Sequence, residues 1–168
     1  MARSSQQVVF TNAVVSTIVW LVQVFAPNLL YDGHISKWVS RTAGLRHPGA
    51  LTPEREPMHG VLACFHLAIL VHIWSSALSS RPHAHVGTAL MELTYALSAG
   101  IMCAFFPKYG SGVALFGAVP NFLFAVAICR AGGFGVGDLV AMLRGDVAVS
   151  SVDSSGRRKD SKNSVKGE

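Results

Sequence analysis

Nineteen consecutive residues near the start of the chain, 8–26, carry no charged side chain. Three further apolar blocks follow at 58–78, 87–106 and 111–129. The hydrocarbon core of a bilayer is about 30 Å thick and is crossed by about 20 apolar residues in a helix. A helix also satisfies its own backbone hydrogen bonds where no water is available. The sequence therefore predicts an all-α polytopic membrane protein, with about four transmembrane helices in a small bundle spanning 8–130.

The composition disfavours a water-soluble alternative. Of 168 residues, 51% are hydrophobic and only 14% are charged, whereas about 25% of the residues of an ordinary soluble domain are charged. A soluble domain of this length buries about 70% of its unfolded surface, which would leave the apolar blocks partly in water. Membrane lipid is therefore the first partner that the sequence predicts.

The first apolar block has two interpretations. Arg3 provides a basic start and Val24-Phe25-Ala26 resembles a cleavage site, as in a secretory signal. The apolar run exceeds the roughly 7 to 15 residues typical of a signal, and Pro27 would follow the cut directly. We expect the block to be retained as a membrane span after a short N-terminal segment, 1–7, and keep a cleaved signal as the alternative.

The segment between the first two blocks, 28–57, has mixed character. Its first half fits a short helix in the membrane interface, with Lys37 and Arg41 set apart from the apolar side chains. Trp38 would lie at the depth of the lipid headgroups, where indole is favoured. The apolar face of that helix comprises Ile35, Trp38, Val39 and Leu45. The second half, from His47, is rich in turn formers and is predicted to be a hydrophilic loop.

After the fourth block the chain becomes polar. A glycine-rich juxtamembrane segment covers 131–149, with one or two amphipathic turns predicted from Asp138 to Arg144 and Asp138 as their cap. Residues 150–168 contain almost nothing apolar and are predicted to be a disordered basic tail. The basic cluster of the tail is confined to this disordered end, so nucleic acid is not an expected partner.

The orientation follows from the distribution of charge. With four spans both termini share one side, which the distribution of basic residues assigns to the cytosol or an equivalent inner compartment.

Glu92 is the only carboxylate within a predicted span. Such a group normally faces the interior of the bundle and is a functional candidate by default. Small residues at 96, 100 and 104 continue its face, as expected where helices pack closely. His72 lies as far before Pro82 as Glu92 lies after it, so an antiparallel hairpin predicts a hydrogen bond between them. That pair either locks the hairpin or handles a proton or a ligand.

The other histidines offer less chemistry. His59 and His66 are seven residues apart and share a helical face, and we expect an interhelical hydrogen bond from His66. His83 and His85 lie in a short connection that is predicted to be solvated. No H-E-x-x-H motif or C-x-x-C pair occurs, so no metal site and no cofactor is predicted.

Two functions remain open on this evidence. The first is a non-catalytic subunit or scaffold of a membrane complex, with other membrane subunits as partners. The alternative is a membrane-embedded enzyme or carrier for a lipophilic small molecule, with Glu92 as acid or base and His72 as its tuner. The candidate catalytic residues are Glu92, His72 and His66, and a kink expected at Pro120 would shape the pocket.

Overall fold

The computed structural model describes residues 2–106, 108 and 110–145. Seven helices lie within this part of the chain: α1 (Ala2–Phe25), α2 (Pro27–Tyr31), α3 (His34–Ala43), α4 (Glu56–Ala77), α5 (Pro82–Phe105), α6 (Gly112–Gly132) and α7 (Val136–Leu143). Four of them, α1, α4, α5 and α6, are long and apolar enough to cross a membrane. They correspond to the four apolar blocks, so the predicted all-α four-helix bundle is confirmed.

Most of the surface of these four helices faces outward. Between 22% and 28% of the most apolar window of each helix is buried inside the molecule. Large apolar side chains are exposed on every one of them, for example Phe25 (79%), Phe65 (66%), Phe105 (75%) and Leu123 (60%). Lipid is the solvent that accommodates such a surface.

The ends of the long helices follow local sequence signals. Pro57 and Pro82 lie in the first turns of α4 and α5, where the missing N–H is not needed. Ser111 caps α6 by accepting a hydrogen bond from the backbone N–H of Ala114 (3.2 Å). Gly133 ends α6 in the left-handed conformation, with φ 68°, which suits a residue without a Cβ atom.

Helix neighbours in the bundle are not always neighbours in the sequence. α5 packs most extensively against α6, and α1 packs against α4 and α6, whereas α4 and α5 contact each other only sparsely. α4 and α5 follow one another as expected, but they do not pack against each other along their length. α1 and α5 run parallel because α4 reverses the chain direction between them.

The apolar core lies at the end of the bundle where α1 begins, here called the N-terminal end. The opposite end, where α1 leads into α2 and α3, is called the loop end. The buried residues of the core come from all four long helices and from the turn before α7: Val9, Ala13, Ile73, Ala77, Val86, Ala89, Ile128 and Phe134. Leu139 and Met142 of α7 pack against this cluster. The short helix α7 thus closes the N-terminal end.

The segment between α1 and α4 forms two short helices at the loop end. α3 contacts α6 through its buried residues Ser36 and Ser40. A Cβ atom on Gly112 would lie 2.1 Å from Ser40 Oγ, so only glycine permits this close approach. Ile35 and Trp38 are 59% and 66% exposed on the outer face. This is the amphipathic arrangement expected of an interfacial helix, whose membrane depth stays a prediction.

The C-terminal region differs from the prediction in one respect. α7 begins at Val136, two residues before Asp138. Asp138 caps it from within the first turn, because its Oδ2 accepts a hydrogen bond from the backbone N–H of Gly135 (2.8 Å). The predicted tail, 150–168, lies outside the described residues.

Pro120 lies inside α6 without ending the helix. Pro120 has no N–H to donate to the preceding turn. The next residue, Asn121, donates from its side-chain Nδ2 to the backbone oxygen of Gly117 (2.6 Å), one residue after the Phe116 carbonyl that Pro120 leaves without a helical donor. The kink expected at Pro120 stays a prediction.

Candidate functional site

Polar residues of α1 form a line on its inner face, here called the α1 seam: Ser5, Asn12, Ser16 and Gln23. Their spacing of seven, four and seven residues keeps them on one side of a helix. Ser5, Asn12 and Gln23 are 0%, 1% and 8% exposed, and Ser16 is half-buried. Because buried polar groups need hydrogen-bond partners, the seam decides which residues of the other helices lie against α1.

Glu92 meets the seam at Asn12. Asn12 Nδ2 donates a 2.6 Å hydrogen bond to Glu92 Oε1, and Glu92 itself is 2% exposed. The amide is oriented from its other side, because Ser16 Oγ donates to Asn12 Oδ1 (3.2 Å). Glu92 and Ala96 are buried on the same face of α5, as the small-residue ridge predicted, although Ala104 is exposed.

The predicted partner of Glu92 is wrong. His72 is exposed on α4, and the carboxyl group of Glu92 is bound by Asn12 of α1 instead. The prediction assumed that α4 and α5 stay adjacent beyond their short connection, whereas α5 packs mainly against α6. His72 and Glu92 therefore do not form a common site.

His85 is the second polar contact of α5 with the seam. It is 0% exposed, and the predicted solvated position for it is wrong because α5 already begins at Pro82. Its Nε2 lies 3.0 Å from the backbone oxygen of Ser79, so this nitrogen must carry the proton. Nδ1 lies 3.0 Å from Ser5 Oγ and accepts a hydrogen bond from the Ser5 hydroxyl group. Both ring nitrogens are thus in use.

The two contacts between α1 and α5 share one register. Ser5 to His85 and Asn12 to Glu92 are both separations of 80 residues. Seven residues along α1 therefore match seven residues along α5, which is two helical turns on each. The pair of contacts fixes α5 against α1 in both rotation and depth.

His66 meets the seam at its far end. Its Nδ1 lies 2.7 Å from Gln23 Oε1, which is the interhelical hydrogen bond expected for this residue. His66 is half-buried. It lies on α4, away from the contact between Glu92 and Asn12 on α5, so the three candidate residues His66, His72 and Glu92 occupy separate places.

Further hydrogen bonds fasten α4 to α1. Trp74 Nε1 donates to Thr17 Oγ1 (3.0 Å), and Trp20 Nε1 donates to the backbone oxygen of Ala63 (3.0 Å). Near the N-terminal end, Gln6 Nε2 donates to the backbone oxygen of Ala77 (3.1 Å). α4 is therefore held along its length by polar groups of α1.

A charged cluster orders the loop end outside the spans. Asp32 Oδ1 accepts from His47 Nε2 (2.9 Å) and Asp32 Oδ2 accepts from Lys37 Nζ (3.1 Å). The hydrogen bond from His47 and then that from Lys37 hold the pKa of Asp32 below its ordinary value. These contacts tie the start of α3 to the loop that follows it.

Tyr31 links the loop end to α4. Its hydroxyl lies 3.2 Å from His59 Nδ1, and the two rings meet edge to face at 5.5 Å. Burial, and to a smaller extent the neighbouring Tyr95 of α5, raise the pKa of Tyr31. Tyr31 thus attaches the loop end to the start of α4.

The described residues do not assemble a metal centre: no group of three or more His, Cys, Asp or Glu side chains converges among them. Two open depressions of about 440 and 490 Å³ lie beside the ends of α1. One is lined by residues around Pro27 and Asp32, and the other by residues around Gln6 and Leu78. Glu92, His66 and His72 line neither of them.

Sequence reasoning identified Glu92 but missed the side chains of α1 that bind the other helices. Asn12 and Gln23 are the strongly polar residues of a block that was noted only for its lack of charge. The signal that was available is their position on one helical face, together with the matching seven-residue spacing of Ser5 and Asn12 in α1 and of His85 and Glu92 in α5.

A comparison of the chain with known protein families, with curated proteins and with solved structures finds no match.

Proposed function

We propose that this chain is a non-catalytic subunit or scaffold of a membrane complex, and that it crosses the bilayer four times. The observation that carries the proposal is that the buried polar side chains of the chain hold its own helices together. Those of the α1 seam are committed to hydrogen bonds with α5 and α4. In a membrane such bonds are a main source of helix association and register.

The state of the two buried groups on α5 supports this interpretation. A catalytic acid or base must reach a substrate within hydrogen-bond distance. His85 has both nitrogens occupied by Ser5 and Ser79. Glu92 is 2% exposed and bound by an amide that is itself held by Ser16. Groups placed in this way fix a register between helices.

The outer surface suits lipid and neighbouring helices alike. Large apolar side chains project from all four long helices, and α4 packs chiefly against α1, so much of its circumference is free. Other membrane subunits are therefore the protein partners that we propose, with lipid covering the rest. The alternative of an enzyme or carrier built on Glu92 and His72 loses its pair, because His72 is exposed on another helix.

The proposed topology places both termini on the cytosolic or an equivalent inner side. The loop end, including α3 and the charged cluster at Asp32, then faces the opposite compartment. A glycosylation acceptor inserted between Pro48 and Pro53 would be modified in microsomes, and one inserted after Gly145 would not. The reverse pattern overturns the orientation.

Purification from native membranes tests the function. A C-terminally tagged chain, extracted in mild detergent and quantified by mass spectrometry, is expected to carry partner subunits at a fixed stoichiometry. Glu92→Gln retains shape and hydrogen-bonding capacity, so it should recover the same partners. Asn12→Leu, which removes the donor at the centre of the seam, should recover fewer.

Thr94→Val provides the matched control on α5. Thr94 is exposed and its hydroxyl donates to the Leu90 backbone oxygen within the same helix, so the substitution leaves the seam intact. Partner recovery should equal that of the wild type. A chain that purifies without stoichiometric partners from its native membrane contradicts the proposed function.

A further inference from the structure

Two histidines of α4 have the same arrangement of hydrogen bonds. His59 and His66 are one heptad apart and lie on one helical face. In both, Nδ1 is held by a neighbouring side chain: Tyr31 for His59 (3.2 Å) and Gln23 for His66 (2.7 Å). Neither Nε2 has a hydrogen-bond partner among the described residues, and neither is a fully buried, unsatisfied atom. Both therefore remain within reach of a ligand.

The partner of His66 fixes its hydrogen-bonding character. A carbonyl oxygen accepts hydrogen bonds and cannot donate one. Nδ1 of His66 therefore carries a hydrogen and donates the hydrogen bond to Gln23 Oε1. In the neutral ring Nε2 then bears the lone pair and is an acceptor. Gln23 is 8% exposed and is thus a rigid anchor for the ring. The position calls for a ligand with a hydrogen-bond donor.

The surroundings define the rest of that ligand. His66 lies ten residues into α4, which is about 15 Å along the helix and near the middle of a bilayer core. Phe65 and Leu62 beside it are 66% and 49% exposed. Water is scarce at this depth, and a molecule reaching Nε2 arrives through acyl chains. It must therefore be lipophilic.

A second polar contact lies toward the membrane surface. His59 is about 10 Å from His66 along the helix axis, and its ring is held by the half-buried Tyr31. α4 therefore presents a second imidazole, paired with a hydroxyl group, toward the loop end.

We infer that His66 Nε2 accepts a hydrogen bond from the hydroxyl group of a lipophilic alcohol that enters from the bilayer beside α4. The site is independent of the partners proposed above, and it uses the histidine that Gln23 orients. His72 provides the contrast within the same helix. It is exposed, and no side chain among the described residues anchors its ring, so it does not select a ligand.

Photolabelling in detergent or in vesicles tests the site. The probes are a photoreactive sterol and a photoreactive hexadecanol, each with a free hydroxyl group and each paired with its methyl ether, which cannot donate a hydrogen bond. At least one alcohol is expected to label peptides of α4 or of the end of α1 roughly fivefold to tenfold more than its ether, the range that one hydrogen bond produces.

Two substitutions localise the effect. His66→Phe should abolish the preference for the alcohol over the ether, whereas His72→Phe on the same helix should leave it unchanged. If His66→Phe does not assemble in size-exclusion chromatography, the alcohol-to-ether ratio of the wild-type protein still decides. Equal labelling by both alcohols and their ethers overturns the inference, and so does an unchanged preference in a folded His66→Phe protein.

Discussion

The two ends of the bundle are held together by different means. At the N-terminal end large apolar side chains interlock, including Val9, Ile73 and Ile128 at 0%, 2% and 0% exposure. Toward the loop end the buried apolar residues of α5 and α6 are small: Ala96, Cys103 and Ala118. There α5 and α6 approach closely, while α4 and the short helices depend on polar contacts.

The difference follows from the energetics of helix association in lipid. Apolar side chains gain little by leaving acyl chains for another helix, so packing density and hydrogen bonds decide association. The N-terminal end combines hydrogen bonds from Ser5 and Gln6 with a densely packed apolar core that α7 covers. The loop end uses directed hydrogen bonds, which leave some ring nitrogens open. Stability should therefore concentrate at one end and binding at the other.

The largest expected effect comes from a substitution in the apolar core at the N-terminal end. Ile73→Ala leaves a cavity in the core cluster and should lower the free energy of unfolding by about 2 kcal/mol, the low end for such changes because little transfer energy is lost in lipid. Denaturation in mixed micelles measures it. Ile69→Ala, at a position that is 38% exposed, is the control. Equal losses for both variants would mean that the N-terminal end has no specific packing.

A glycine pair tests the attachment of α3 at the loop end. Gly112→Ala forces a Cβ atom against Ser40 and should cost about 1 to 2 kcal/mol as an overpacked contact. Faster cleavage by trypsin after Lys37 and Arg41 reports the loosening. Gly100→Ala on α5 meets nothing within 4 Å, so it should leave cleavage unchanged. A stable Gly112→Ala protein would show that α3 does not need this close approach.

The α1 seam connects the two ends, and its centre can be measured by a double-mutant cycle. Asn12→Leu should lower stability by about 1 kcal/mol, because the buried Glu92 carboxyl group loses its donor. Glu92→Gln alone should cost less, since the amide oxygen still accepts from Asn12. The cycle itself pairs Asn12→Leu, which removes the donor, with Glu92→Leu, which removes the acceptor, so the coupling energy between these two substitutions measures the contact. Purely additive effects would argue that the 2.6 Å bond does not fix register.

The smallest expected effect is a pH dependence confined to the loop end. Because the pKa of Asp32 is lowered by His47 and Lys37, its contribution is present above the unfolded pKa of about 3.9 and is lost as the pH falls through the lower folded value. Hydrogen exchange of 34–43, corrected for its intrinsic pH dependence, should increase in that range. In Asp32→Asn this increase should be absent, and an identical profile in both proteins would contradict the assignment.

The sequence was sufficient for the fold class because lipid imposes a simple length rule. Each apolar block had to be a helix of about the bilayer thickness, and α1, α4, α5 and α6 have that form. The end of α1 before Pro27 was also predictable, whereas the start of α5 at Pro82, five residues before the predicted block, was not. α7 began earlier than expected because Asp138 satisfies a backbone N–H from inside the first turn.

The site was predictable only in part because it depends on which helices are neighbours. Glu92 stood out as a carboxylate in an apolar span, but its partner was sought on the adjacent span in the sequence. α4 and α5 diverge after their connection, and Asn12 fills the position that was assigned to His72. His85 was misplaced for a related reason, since a helix that starts at Pro82 converts a presumed loop residue into a buried one.

The 80-residue separation of Asn12 and Glu92 sets an order of events during biosynthesis. At about 5 to 20 residues per second, ribosomes deliver α5 roughly 4 to 16 s after α1. In the proposed four-span topology α1 therefore enters the bilayer first, and α4 follows before α5. When the acidic helix emerges from the translocation channel, its amide partner is already in place, and the carboxyl group passes from the channel to the protein with little time in lipid.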